Sequence, residues 1–430
     1  MLDLARAECS IANSIALKTD GALARDMQIC RIHCYDDCLV CSLDKGAVKR
    51  HLKRLAALTL GFVIGCLVIE LVLRVHNPLE SRIRGDKVVL PVDKRYILFN
   101  RDIPGIPAEI VHTKNSLGFR GPEIPSEDFE ATLSVIAVGG STTECVYLPD
   151  GDDWPAVLAD LLKPQFPRVW INNAGFEGHS TFGHVVLMDD YIARIRPKVV
   201  LFLIGQNEVA NTGVTGFEAS RVRGRILFSS FRAFAKSLSA HSELGSLLLN
   251  LYRVGRARFL GLPHEVLDWT SLKTTVYPES NLDAMIAEHS QRYLPLYEKR
   301  LRRLISSCAA AGVFPVFITQ PTLFGPGVDP VTHLDLAALQ VEGLSGYAHW
   351  KILESYNDVT RRIGMECDVP VVDLAADMPR SSLYYYDSVH YTVAGSKEVA
   401  TCIARRLIPI LLTRFPEYVD AATTHEPPPQ

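Results

Sequence analysis

Four short blocks of this chain carry residue types that could perform acyl chemistry. The first is Gly139-Gly140-Ser141-Thr142-Thr143-Glu144. Paired glycines permit a tight turn from which a serine hydroxyl emerges exposed, and a serine needs a neighbouring base to attack at neutral pH. Such a base stands in Asp387-Ser388-Val389-His390, where a carboxylate three residues before an imidazole can support the ring from one turn. Asn207, in Gly205-Gln206-Asn207-Glu208, carries a side-chain amide able to donate to an oxyanion. The remaining block, Asn173-Ala174-Gly175-Phe176-Glu177-Gly178-His179-Ser180-Thr181, opens a helix, where backbone N–H groups lack intrahelical acceptors. Taken singly, G-G-S-T is a common loop and a buried Asp–His pair can be purely structural.

The elements between these blocks alternate. Apolar runs at Leu133–Val138, Val169–Asn172, Val199–Ile204, Val313–Thr319 and Val369–Leu374 read as strands. Helical spacing covers Trp154–Leu162, Thr181–Ile195, Leu282–Ala311, Tyr347–Ile363 and Val393–Leu411. Nearly continuous apolar strands separated by helices predict a parallel sheet covered on both faces, with ligands at the carboxyl ends of the strands. Each of the four blocks follows a predicted strand or precedes the last helix, where a site belongs in such a fold.

Together, and in this order, the blocks resemble the SGNH, or GDSL-like, hydrolase family over roughly residues 113–413. The resemblance implies a flavodoxin-like α/β three-layer sandwich on a mainly parallel five-stranded sheet. It implies Ser141 as nucleophile, Asp387 and His390 as its acid–histidine pair, and an oxyanion hole formed by the Ser141 and Gly178 N–H groups with Asn207. The segment Asn115–Gly121 and the ELVLR at residues 70–74 are similar to a membrane-anchored bacterial branch of that family. The name-giving Gly-Asp-Ser-Leu is here Gly139-Gly140-Ser141-Thr142, and Glu208 stands where Asp is more usual, which leaves open the hydrogen bonding of the loop that carries Asn207.

Ahead of the alternating region, Leu55–Ile69 is uncharged, and Leu71-Val72-Leu73 continue it past Glu70. The stretch is about twenty residues, the length of a spanning helix. Lys45, Lys49, Arg50, Lys53 and Arg54 precede it, which favours a cytoplasmic N-terminus and an extracytoplasmic remainder. No A-x-A-like cleavage site follows, so an uncleaved single-pass anchor is expected. The organisation read from the sequence is a poorly ordered tail at 1–54, a transmembrane helix at 55–75 and a connector at 76–130. The hydrolase domain then runs over 131–413 with an insert at 208–280, and a tail closes the chain at 414–430. Within the insert, Arg221, Arg223, Arg225, Arg232 and Lys236 lie among apolar residues, a pattern open to a membrane-surface helix, a lid or a packed helix with solvated arginines.

The formal net charge of the 430 residues is −3, which excludes a strongly polyanion-binding surface and argues against a nucleic-acid partner. Of ten cysteines, Cys30, Cys34, Cys38 and Cys41 sit near His33, but their spacing does not match paired C-x₂-C zinc ligation. Cys145 reads as a small buried hydrophobe, and Cys308, Cys367 and Cys402 as candidates for pairing outside the cytoplasm. Arg120 is expected to brace its loop, His184 to lie on a helix surface, His179 to border the pocket, and Gln320-Pro321 to stand near the site.

The expected reaction is two-step acyl transfer from an acyl-ester substrate through an acyl-serine, for which the chemistry requires no metal or organic cofactor. An extracytoplasmic tether points to envelope esters, in glycans or lipids. The alternatives within reach of the same residues are an O-acyltransferase that passes the acyl group to a sugar hydroxyl, and a catalytically silent glycan-binding or assembly protein on the same fold.

Overall fold

The computed structural model describes residues 45–419, apart from 79–81, 85–86, 101–102, 211–237, 239–240, 260–267 and 270. The chain divides into two compact units, residues 1–72 and 73–430. Helix α1 begins at Lys45, ahead of the uncharged run, and continues to Val75, with its residues up to Val72 in the first unit. Its side chains Leu55, Leu58, Phe62 and Leu67 are exposed. Among the described residues it is the helix long and apolar enough to cross a membrane, over Lys49–Val75. The four-cysteine cluster and the basic stretch Arg221–Lys236 lie outside the described residues, while a helix at Glu243–Phe259 occupies part of the insert.

Within residues 76–130 the second unit holds an antiparallel hairpin of β1 (Lys94–Phe99) and β2 (Glu109–Lys114), in register from Lys94 opposite Lys114 to Phe99 opposite Glu109. Alternate β2 residues Ile110, His112 and Lys114 are buried, so one hairpin face packs inward.

The core of this unit is a parallel sheet of β3 (Leu133–Gly139), β4 (Val169–Gly175), β5 (Val199–Ile204), β6 (Phe314–Thr319) and β7 (Val371–Val372), in spatial order β7-β6-β5-β3-β4. Read from the other edge this is the 2-1-3-4-5 order of flavodoxin-like folds. Every residue of β3 and β5 is buried, as expected for strands covered on both faces. Their side chains sort by strand alternation into two layers. Leu133, Val135, Ala137, Val199, Leu201 and Leu203 pack with α3 (Trp154–Leu162) and α8 (Val393–Arg414), through residues such as Leu158, Ile403 and Leu407. Ile136, Val138, Val200, Phe202 and Ile204 pack with α4 (Thr181–Leu187), α6 (Leu294–Ala311) and α7 (Gly346–Glu366), through Leu187, Leu301 and Tyr356.

The strand order reverses between β3 and β5. There the connections leave in opposite directions and open a crevice at the carboxyl edge. The one-turn helix α2 (Ser141–Glu144) follows β3 at this point, and α5 (Gln206–Ala210) follows β5.

Candidate active site

Ser141 opens α2 at the carboxyl end of β3. The glycines before it are sterically required: a Cβ on Gly140 would lie 2.1 Å from Asn207 Nδ2. This close approach brings the Asn207 amide against the residue that precedes the serine. Asn207 Nδ2 also donates to His179 O at 2.8 Å, tying the loop after β5 to the loop after β4. Gly178, within that second loop, has φ +69°, a conformation natural to glycine.

His390 arrives from the far end of the chain, on the turn before α8. Its Nε2 lies 2.7 Å from Ser141 Oγ and its Nδ1 2.6 Å from Asp387 Oδ2. The second carboxylate oxygen accepts the backbone N–H groups of Val389 and His390 at 2.8 and 2.7 Å. Burial alone would raise the Asp387 carboxyl, but the facing His390 and these hydrogen bonds outweigh it and hold Asp387 below the ordinary carboxylate value. The imidazole is therefore oriented on one side by a carboxylate and meets a hydroxyl on the other. In this geometry a serine proton can pass to nitrogen as the oxygen attacks.

A cleft of about 190 Å³ opens beside the serine, lined by Ser141, Thr142, Cys145, Tyr147, Leu148, Tyr386, His390 and Tyr391. Tyr386 lies nearly parallel to the His390 ring, with centroids 5.6 Å apart. Sequence reasoning did not single out the three tyrosines. The available signal was the position of Tyr386 and Tyr391 beside the Asp387–His390 block, but nothing in the spacing tells which neighbours turn inward.

The supporting residues resolve several expectations. Arg120 is 1% exposed. Its guanidinium donates to the carbonyls of Glu144, Cys145 and Leu148 at 2.7, 2.8 and 2.9 Å and pairs with Asp150 at 3.1 Å, which fixes the turn that ends α2. It braces, as expected. His184 departs from the expectation of a helix surface. It is buried, because Thr181 and Leu187, three positions to either side on the same face of α4, are buried with it, and burial lowers its imidazole to about 3. His179 does not line the cleft, and burial likewise lowers its imidazole, to about 4. Gln320 is buried and accepts from Thr142 Oγ1 at 3.1 Å, behind the nucleophile's turn rather than in the cleft. Cys145, Cys308, Cys367 and Cys402 are free thiols, with Cys145 buried as expected and the other three unpaired. Among the described residues no cluster of His, Cys, Asp and Glu could hold a metal ion.

Glu208, beside Asn207, is buried. One of its oxygens accepts the Thr181 hydroxyl at 2.7 Å, and the other pairs with Arg300 of α6 at 2.6 Å. Arg300 Nε also reaches Thr181 Oγ1 at 2.6 Å. The hydrogen bonding left open by Glu208 is thus closed by an arginine ninety-two positions downstream. Removing one partner of a buried ion pair leaves an uncompensated charge. Arg300→Met is therefore expected to lower the unfolding free energy by about 3–5 kcal/mol. Urea titration of the two proteins would show it, and a loss under about 1 kcal/mol would mean that Glu208 stands without its partner.

Residues 137–397 match the model of the GDSL-like lipase/acylhydrolase family. No curated protein matches the chain. Solved structures similar to it include a catalytic mutant of an acetylxylan esterase from Geobacillus stearothermophilus, at 15% identity and TM-score 0.37, over 64% of this chain and 93% of that one. A G-D-S-L family protein from Desulfitobacterium hafniense is 10% identical with TM-score 0.35, over 64% and 99%. An α/β hydrolase from the metagenome of Lake Arreo, Spain, is 14% identical with TM-score 0.36, over 64% and 94%. With its family match spanning the stretch from β3 into α8, the chain belongs to the GDSL-like lipase/acylhydrolase family and is an ester-hydrolysing serine hydrolase.

Proposed function

We propose that this protein is a membrane-anchored esterase that removes short acyl groups, of acetyl size, from esters of an envelope glycan or lipid through an acyl-serine. The observation that carries the reading is the contact line from Ser141 Oγ to His390 Nε2 at 2.7 Å and from His390 Nδ1 to Asp387 at 2.6 Å, at the edge of the sheet where its strand order reverses. His390 takes the Ser141 proton as Oγ attacks the ester carbonyl, then returns it to the leaving alcohol. A water deprotonated by the same imidazole attacks the acyl-serine and releases the acid. The Ser141 and Gly178 N–H groups and the Asn207 amide stabilise the negative oxygen of both tetrahedral intermediates.

The short acyl group is inferred from the cleft. Tyr147, Tyr386 and Tyr391 stand around Ser141 and His390 there and place bulky rings beside the nucleophile. The envelope location rests on α1 and on the basic residues that precede its apolar run, which favour an extracytoplasmic enzyme domain.

The test is a fluorophosphonate probe and a series of p-nitrophenyl esters on the full chain in detergent. Probe labelling is expected, with kcat/KM highest for acetate and at least about tenfold lower for octanoate, the penalty of a few methylenes without a pocket. A preference for octanoate would sink the short-acyl reading. Folded protein that neither labels nor turns over would sink the acyl-serine.

A further inference from the structure

We infer that Glu144 is a positioning residue: bridging the nucleophile's helix to the Gly178 loop and held by the buried Lys114, it sets the gap between the two backbone donors of the oxyanion site. The inference rests on the acyl-serine reading above. Ser141 and Glu144 are the first and last residues of the same one-turn helix. The Gly178 N–H belongs to a different connection, the one that follows β4. The two donors therefore sit on loops of adjacent strands, and something must fix their separation.

Glu144 does so. Its Oε2 accepts the Glu177 N–H at 2.6 Å, one peptide away from that of Gly178. Its Oε1 accepts from Lys114 Nζ at 2.9 Å. Lys114 comes from the end of β2, outside the parallel sheet, and its ammonium also lies 4.7 Å from the centre of the Phe176 ring. The pair is buried, with side-chain exposures of 2% and 11%. A buried ion pair is often no more stabilising than well-packed apolar side chains, so its placement calls for another account. Here it holds a carboxylate at one end of the Phe176–His179 loop, whose other end is tied to Asn207, the Asn207 amide donating to the His179 carbonyl. Oxyanion donors act only when preorganised, and a displacement near 1 Å can cost about a hundredfold.

The experiment compares Lys114→Met/Glu144→Gln with Lys114→Met/Glu144→Met in the full chain. Both are uncharged and of similar size, and only glutamine keeps an acceptor for the Glu177 N–H. The readouts are kcat and KM for p-nitrophenyl acetate, and the affinity of a small alkylboronic acid, whose tetrahedral serine adduct places an oxygen in the oxyanion site. The methionine variant is expected to lose about 10- to 100-fold in kcat, with KM within about threefold and boronate affinity reduced by the same factor as kcat. The glutamine variant is expected to return to within about fivefold of wild type, a rescue that a merely structural role would not give. Hydrogen exchange over residues 176–180 supplies a measurement independent of turnover, expected at least about tenfold faster in the methionine variant. If that variant does not fold, Lys114→Met/Glu144→Leu, likewise uncharged and without an acceptor for the Glu177 N–H, is read in the same way. Equal kcat and boronate affinity in the two double variants would overturn the positioning role, as would a lower melting temperature with kcat unchanged. A wild-type chain without turnover or labelling would instead overturn the acyl-serine reading, and the positioning role with it.

Discussion

Ser141→Ala is expected to lower kcat for p-nitrophenyl acetate by about 10⁵- to 10⁶-fold, down to the background hydrolysis of the ester, and to abolish fluorophosphonate labelling. The serine supplies the only proposed bond to the acyl group, so its loss removes the covalent path and not merely one interaction along it. His390→Ala is expected to fall almost as far, because Ser141 Oγ then has no acceptor at the 2.7 Å position that Nε2 occupies. The Ser141→Ala/His390→Ala double variant should be no slower than either single one, since groups that act as a unit are not additive. Alanine at Ser141 leaves the fold intact: the residue begins a helix and its backbone bonds do not involve the hydroxyl. Circular dichroism of each variant would verify this. Retention of more than about 1% of wild-type kcat by Ser141→Ala would identify a different nucleophile and remove this serine from the mechanism.

Asp387→Asn should reduce kcat by about 10⁴-fold while changing KM little. The carboxylate accepts the Nδ1–H of His390 at 2.6 Å, which keeps the proton off Nε2 and leaves that atom free to take the serine proton. An asparagine that turns its amide toward Nδ1 selects the opposite tautomer, with Nε2 protonated and unable to act as a base. The substitution also has a consequence for stability. Burial, which would raise the carboxyl, is outweighed by His390 and two backbone N–H groups, so the folded value lies below the unfolded one, near 3.9. A group depressed in this way contributes stability that is present above the unfolded value and is lost as pH falls through the folded one. The wild type should therefore lose stability relative to Asp387→Asn as pH drops below about 4, a trend that urea titrations between neutral and acid pH would reveal. A parallel pH dependence in the two proteins would mean that Asp387 is not held ionised by its partners. A kcat within about tenfold of wild type would remove it from the reaction.

How much of this was legible without coordinates depended on the range of the interaction involved. The strand runs follow from local composition: β5 is Val199–Ile204 in both readings, and α3 is Trp154–Leu162 in both, because a continuous β-branched or apolar run and a helical repeat are properties of six to nine neighbouring residues. The layer architecture followed as well, since strands without polar alternation must be covered on both sides. Strand ends were less legible. The last strand shrinks to Val371–Val372 and β4 lengthens to Gly175, because ladder pairing with a neighbour decides where a strand stops. The four blocks were visible because each is a short motif at a turn, and turn chemistry is local.

Tertiary structure decided whatever joins distant positions. It brought His390 to Ser141 across 249 positions, and Arg300 to Glu208 across 92. Charged residues such as Lys114, Glu144 and Arg300 look like solvated surface in a sequence, since a single charge carries no mark of the partner that permits its burial. His184 shows the same limit in reverse: its helix periodicity was plain, but which face meets the sheet is set by how α4 rests on β3 and β5. By itself, then, the sequence determined the local elements, their α/β order and the residue types at each strand end. The separation between the donors around Ser141, the tyrosine-lined cleft and the buried ion pairs behind them required the packed fold, because only packing sets distances between segments that the chain does not place side by side.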